Sequence, residues 1–157
     1  MQRRYLIFGI IITVGVVLDQ WTKQLVADHI HSVRDFHHIF PVLSIVRTHN
    51  TGISFGMLSA LNLGPWFYGV LIILVLAFLV YTVIITANLG LQTAVVFMIS
   101  GAIGNLVDRL ARGYVIDFIS LHWFDKYYFY VFNIADILVS CGAALIILDA
   151  LIKKRTS

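Results

Sequence analysis

Four stretches of the chain are apolar almost without interruption, at about residues 4–21, 66–87, 91–107 and 128–148. Each is near the roughly 17 to 25 residues that carry a helix across a bilayer, and the second holds no charge at all. The pattern predicts an all-α membrane protein of four spans, one membrane domain covering residues 1–157, with outer loops at about 22–65 and 108–127. The connection between spans two and three, "ANLG" at 87–90, is too short to hold a site. The first outer loop contains "VLSIVRTHNTGISFG", two β-prone runs around an Asn50-Thr51-Gly52 turn, which predicts a small strand pair or cradle lying on the membrane. At about 40 residues that loop cannot bury a core of its own, so any function is shared with the helices. The second outer loop, "VIDFISLHWFDKYYFY" from Val115, interleaves aromatics with one acid and predicts an interfacial belt, with Trp21, Trp66 and Trp123 at the same interface.

The polar residues are not scattered. Asp19, Gln20 and Lys23 end span one, Asn50 and Gly52 lie in the first outer loop, and Asn105, Asp108 and Arg109 end span three. Asp117 is in the second outer loop, and Asn133 and Asp136 are expected one to two turns into span four. Because span direction alternates, all of them fall on one side of the membrane. Helical spacing then aims them: Asp19 and Lys23 stand at i and i+4, and Asn105 shares a face with Asp108 and Arg109, as Asn133 does with Asp136. Gly101 and Gly104 keep the third helix slim enough for close approach by a neighbour. An acid inside a span costs roughly 2.5 to 3.5 kcal/mol to insert on translocon scales, so Asp136 marks a site.

Composition confirms the class and orients it. Of 157 residues 60% are hydrophobic and the mean hydropathy is +0.91, well above what a water-soluble globule usually shows. Net charge is +3, from 11 Lys and Arg against 8 acids, all of them Asp. The basic residues form no nucleic-acid stripe. Arg3 and Arg4, with Lys153, Lys154 and Arg155, make two short basic tails, so both termini are expected in the cytoplasm and the polar cluster near the outer face. The opening "MQRRYLIFGIIITVGVV" starts like a signal peptide but shows no small-x-small cleavage pattern, and reads as a retained first helix.

Asp117 and Asp136 have no Lys or Arg at i±3 or i±4. Two carboxyls brought together in a poorly hydrated pocket share a proton and titrate as a pair. Such a pair can hydrolyse an amide, the ionised member taking a proton from water while the protonated one donates to the carbonyl. Other chemistries find less support. The six His residues (29, 31, 37, 38, 49 and 122) all fall outside the spans, with no HExxH and no Cys partner, so no metal or other cofactor is expected. Cys141 stands alone as a small core residue. Asp19 with Lys23 and Asp108 with Arg109 could serve as scaffold pairs or as substrate contacts. The alternative of a different class is a small proton-coupled transporter using Asp136 as its relay, but such a path needs acids along the bilayer, and the cytoplasmic half offers only Asp149 near the tail.

Five motifs in order, "DQWTK" (19–23), "NTGISFG" (50–56), "GAIGNLVDR" (101–109), "VIDF" (115–118) and "FNIAD" (132–136), resemble bacterial lipoprotein signal peptidase, the signal peptidase II family. The resemblance implies an aspartic endopeptidase of the bacterial inner membrane that removes signal peptides from diacylglyceryl-modified prolipoproteins, cutting just before the lipidated Cys. It implies Asp117 and Asp136 as the catalytic pair. It also implies Asp19, Lys23, Asn50, Gly52, Asn105, Asp108, Arg109, Asn133 and Ala135 as supporting or substrate-contacting positions. The expected partners are those prolipoproteins and membrane lipid, with no nucleic acid, and the enzyme is expected to act as a monomer. Ser54, where Ala is usual, and Ser100, where Gly is frequent, are small departures that touch local packing alone.

Overall fold

A computed structural model describes residues 2–31, 37–52, 64–123 and 127–156. Four helices are long and apolar enough to cross a membrane: α1 (Gln2–His29), α2 (Gly64–Ile85), α3 (Leu89–Arg112) and α4 (Ile134–Thr156). In lipid a backbone can satisfy its own polar groups only as a helix or a closed barrel, so uninterrupted apolar runs adopt this form. Much of their apolar surface faces outward, as in Leu74, Phe78 and Ile84 of α2. In a membrane that surface meets lipid.

At about 1.5 Å per residue the 28 residues of α1 reach roughly 42 Å, beyond a hydrocarbon layer of about 30 Å. The helix is thus longer than a span needs, and its last turns support a four-stranded sheet. The strands are β1 (His37–Phe40), β2 (Leu43–Asn50), β3 (Val115–Trp123) and β4 (Tyr127–Tyr128), in that order across the sheet and antiparallel throughout. Val26 and Ile30 of α1 pack on Ile116 and Phe118 of β3. Arg47 of β2 donates to the Ala27 and Ile30 carbonyls at 3.1 and 3.2 Å, closing the end of α1. The sheet differs from the expected cradle in one respect. The run that leads into Asn50 is β2, but its partners are β1 and β3, while the "ISFG" run, with Ser54, lies outside the described residues. The segment read as an aromatic belt thus supplies the longest strand.

Helix boundaries also move: α1 runs on to His29, past the end expected near residue 21, so the first outer loop begins later than residue 22, and α4 runs on to Thr156, past 148. α3 continues to Arg112 and stops at Gly113, whose positive φ of 78° gives a left-handed cap with its N–H on the Arg109 carbonyl. α4 begins at Ile134, not near 128, so Asp136 sits in its first turn and not one to two turns inside. The physical reason is a reciprocal cap. The Asn133 side-chain oxygen accepts from the Asp136 N–H at 3.0 Å, and the Asp136 carboxylate accepts from the Asn133 N–H at 3.2 Å. At the opposite end, Asn88 caps α3, and Gln92 donates to the Val83 and Thr86 carbonyls that end α2. Asn88 also reaches Asp149 of α4, which Lys153 pairs at 2.7 Å.

α3 is the central helix, touching each of the other three. Its approach to α4 depends on a missing side chain: a Cβ at Gly101 would run into the Ala135 carbonyl, and one at Gly104 would lie 2.6 Å from Asp19 Oδ2. This close contact lies beside the polar cluster.

Candidate active site

The cluster is built around a buried cation. Lys23 has no exposed surface, and its ammonium lies 2.8 Å from Asp19 Oδ2, 3.2 Å from Asp108 Oδ2 and 3.0 Å from Asn105 Oδ1. Asp19 and Asp108 are equally buried, so three charges leave water together and must hold one another. Their remaining lone pairs are used. Asp19 Oδ1 accepts from the Ala135 N–H at 2.9 Å, at the start of α4, and Asp108 Oδ2 accepts from the Ile116 N–H at 3.0 Å, on β3. Asp108 pairs with Arg112 one turn on, and not with Arg109 as the sequence spacing allows. Gln20 adds bonds to Asp19, to the Gly104 carbonyl and to Asp108. One network thus locks α1, α3, α4 and β3 in register.

Asn105 carries that order outward. With its oxygen taken by Lys23, its amide nitrogen must point the other way, and it donates to Asp136 Oδ1 at 3.0 Å. Asn133 touches both expected acids: its amide nitrogen donates to Asp117 Oδ1 at 2.6 Å, and its backbone N–H to Asp136 Oδ2. Asn50 donates to the other Asp117 oxygen at 2.9 Å, held by its own oxygen accepting from the Gly52 N–H. Opposite Asp117 in the sheet, Thr48 donates to its backbone carbonyl. Two carboxyls from distant parts of the chain thereby line one cavity of about 140 Å³, together with Asn50, Asn105, Arg109 and Ile72.

Asp117 is almost fully buried. Burial and then the charge of Asp136 push its carboxyl up to about 7, against the pull of Asn50, Asn133 and Lys23 toward the ionised form. It can therefore both hold and release a proton near neutral pH. Arg109, at the cavity wall, donates to the Gly52 carbonyl at 2.5 Å and to the Asn105 carbonyl at 3.3 Å, with its guanidinium 6.0 Å from the Tyr68 ring. It ties the Asn50-Gly52 turn to α3.

Every position singled out in the sequence is thus in or beside one cluster: Asp19, Lys23, Asn50, Gly52, Asn105, Asp108, Arg109, Asp117, Asn133, Ala135 and Asp136. Ala135 contributes its N–H and its lack of bulk. Gln20 is among the polar residues that the sequence places at the end of span one, whereas sequence reasoning misses Arg112, Thr48 and Tyr68. A buried Tyr in an aromatic-rich span gives no signal of its own. Among the described residues no three His, Cys, Asp or Glu are placed to hold a metal ion. His38 and His122 instead meet Ser44 Oγ at 2.9 and 2.7 Å in the sheet.

Residues 11–152 match the family model described as signal peptidase (SPase) II. The chain is similar to the lipoprotein signal peptidase of Tolumonas auensis, 40% identical over 146 residues that cover 89% of this chain and 87% of that one. It is similar to that of Mesorhizobium japonicum at 37% identity, covering 94% and 87%. A solved structure of a bacterial membrane enzyme superposes with a TM-score of 0.82 at 35% identity, covering 96% of this chain and 89% of that one.

Proposed function

The chain belongs to the signal peptidase II family, and on that premise we propose that it is an aspartic endopeptidase of the bacterial inner membrane, cleaving the signal peptide of diacylglyceryl-modified prolipoproteins just before the lipidated Cys. The observation that carries the two-acid reading is Asn133, whose amide and backbone N–H bind Asp117 and Asp136 at once and hold both carboxyls at one cavity.

In the proposed reaction the pair starts with one proton. The ionised carboxyl takes a proton from water as its oxygen attacks the scissile carbonyl carbon, and the protonated carboxyl gives its proton to the carbonyl oxygen. The tetrahedral intermediate then collapses: the C–N bond breaks, the leaving nitrogen takes a proton from the pair, and the hydroxyl proton returns to it. The products are a carboxylic acid and an amine, and the pair again holds one proton. Asn50, Asn105 and Asn133 keep the acids aimed, while Lys23, Asp19 and Asp108 keep Asn105 aimed. The basic residues near both ends support cytoplasmic termini, with the dyad toward the outer face, and the supply of Asn50, Asn105, Asp117, Asn133 and Asp136 by one chain supports a monomer.

The relay reading of Asp136 has no comparable support, since between Asp136 and Asp149 the only titratable residue of α4 is Cys141. The test is cleavage, by purified protein, of a diacylglyceryl-modified prolipoprotein peptide beside its unlipidated twin, repeated with Asp117→Asn and Asp136→Asn. Cleavage of the lipidated peptide alone, with each variant slowed by the roughly 10² to 10⁴ that acid-base groups contribute, is expected. Equal rates on both peptides would leave a generic peptidase, and activity above about a hundredth in either variant would remove the dyad.

A further inference from the structure

Asp136 borders a second cavity. This one, of about 430 Å³, is floored by Ile137, Ser140, Cys141 and Ala144 of α4 and roofed by Phe129 and Phe132. At about 100° per residue, the four floor positions centre on one face of the helix, Val139 of the dyad cavity points nearly opposite, and Asp136 lies between them. The roof is fixed to the sheet. The Phe129 N–H donates to the Leu121 carbonyl at 2.7 Å, and Phe132 exchanges backbone bonds with Ile119 at 2.8 and 3.0 Å.

We propose that this groove seats an acyl chain of the lipidated residue, while the peptide occupies the dyad cavity on the side of α2 and α3. The proposal rests on the peptidase reading above. Its support is continuity: the lipid is joined to the substrate next to the scissile bond, so its seat must share an edge with the dyad, and this groove meets that condition through Asp136. The lining is otherwise nearly all apolar, the floor residues Ile137, Ser140, Cys141 and Ala144 are all exposed, and the volume falls in the range of about 300 to 1,000 Å³ usual for ligand cavities. Because the acyl chain comes from lipid and returns to it, the gain is in placement and not in transfer. An anchored chain fixes the attached backbone against the two carboxyls. Peptide and lipid would then straddle the first turn of α4.

Cys141, the only cysteine of the chain, is exposed on the groove floor and not buried in a core as the sequence suggests, and it reports occupancy. The full chain carrying Asp117→Asn, so that substrate is held and not cut, is placed in phosphatidylethanolamine and phosphatidylglycerol nanodiscs and reacted with a maleimide. The diacylglyceryl peptide should slow labelling severalfold, and the unlipidated twin should not. In the otherwise native chain Ala144→Phe, on an exposed position of the floor, should raise KM for a long-chain substrate about tenfold, the order that a methylene or two decides in an apolar pocket, with less effect on a dibutyryl analogue. Labelling equally fast with and without the lipidated peptide overturns the assignment, as does a KM change that ignores chain length. Should the native chain cut neither peptide, the peptidase reading fails and the groove assignment with it. Cleavage of the lipidated peptide without protection of Cys141 would instead leave the peptidase standing and remove only the groove.

Discussion

Replacing Asn50 by Ala tests whether the electrostatics of the cavity set the pH range of the enzyme. Asn50 donates to Asp117 Oδ2 at 2.9 Å and so favours the ionised carboxylate. Removing that bond leaves the proton harder to lose, and the Asp117 value must rise from about 7. A hydrogen bond to a charged group contributes about 1.5 to 3 kcal/mol, and one unit of pKa corresponds to about 1.4 kcal/mol. The ceiling is therefore about two units. Water entering the vacated space returns part of it, and about one unit is expected. The assay is kcat/KM for the lipidated peptide against pH, which reports the free enzyme and the macroscopic values of the pair. In the native enzyme the alkaline limb should fall near 7, where the pair loses its last proton and with it the acid. In Asn50→Ala the limb should move to about 8, even though the peak rate drops. Stability should follow the same sign. The folded value of Asp117 lies above the ordinary 3.8, so the protonated form contributes stability that is fully present below that pH and is lost as pH rises through about 7. An alkaline limb that stays in place or moves downward in Asn50→Ala would refute the assignment.

Three further outcomes are expected. Lys23→Met should destabilise the protein by roughly 3 to 5 kcal/mol, since Asp19 and Asp108 are left buried without their cation. In micelle unfolding experiments, adding Asp19→Asn and Asp108→Asn should recover much of this loss, and a loss below about 1 kcal/mol would show that the triad is not scaffolding. Chelators should leave the peptidase rate unchanged, whereas inactivation by EDTA with recovery in zinc would turn attention to the His residues of the sheet as ligands. A Cys placed at the exposed His31, in a Cys141→Ser background, should react with an impermeant maleimide supplied from the outer side, and reaction only from the cytoplasm would invert the topology.

The membrane plan and the polar cluster are legible in the sequence for a clear reason. Lipid imposes long apolar runs, and each polar residue within or beside one is conspicuous. The sequence is less informative where two physical demands overlap. Val115–Trp123 is a strand buried on both sides over its first residues, against α1 on one and the cavity on the other, so it lacks the alternation that identifies a half-exposed strand. His37–Phe40 is exposed throughout, and shows no alternation either. Hydropathy places the start of α4 too early because "YYFYVF" is as apolar as the helix it precedes. The correction is present in "NIAD", an Asn followed three residues later by an acid, which is a capping signal. The bond from Asn50 to Asp117 spans 67 positions of sequence, and no local pattern encodes it.

The reciprocal cap at Asn133 and Asp136 has a bearing on biogenesis. Residues 133–136 supply one acid, the amide that holds the other, and the N–H that binds Asp19. The ribosome emits them after every other residue of the cluster. Until that turn is wound and seated against α3, Asp117 has Asn50 as its amide partner but lacks the second acid, and nothing else in the cluster can stand in for it. On the proposed two-acid mechanism the nascent chain is therefore without its dyad until the first turn of α4 is seated, and a chain stopped before residue 133 should show no cleavage.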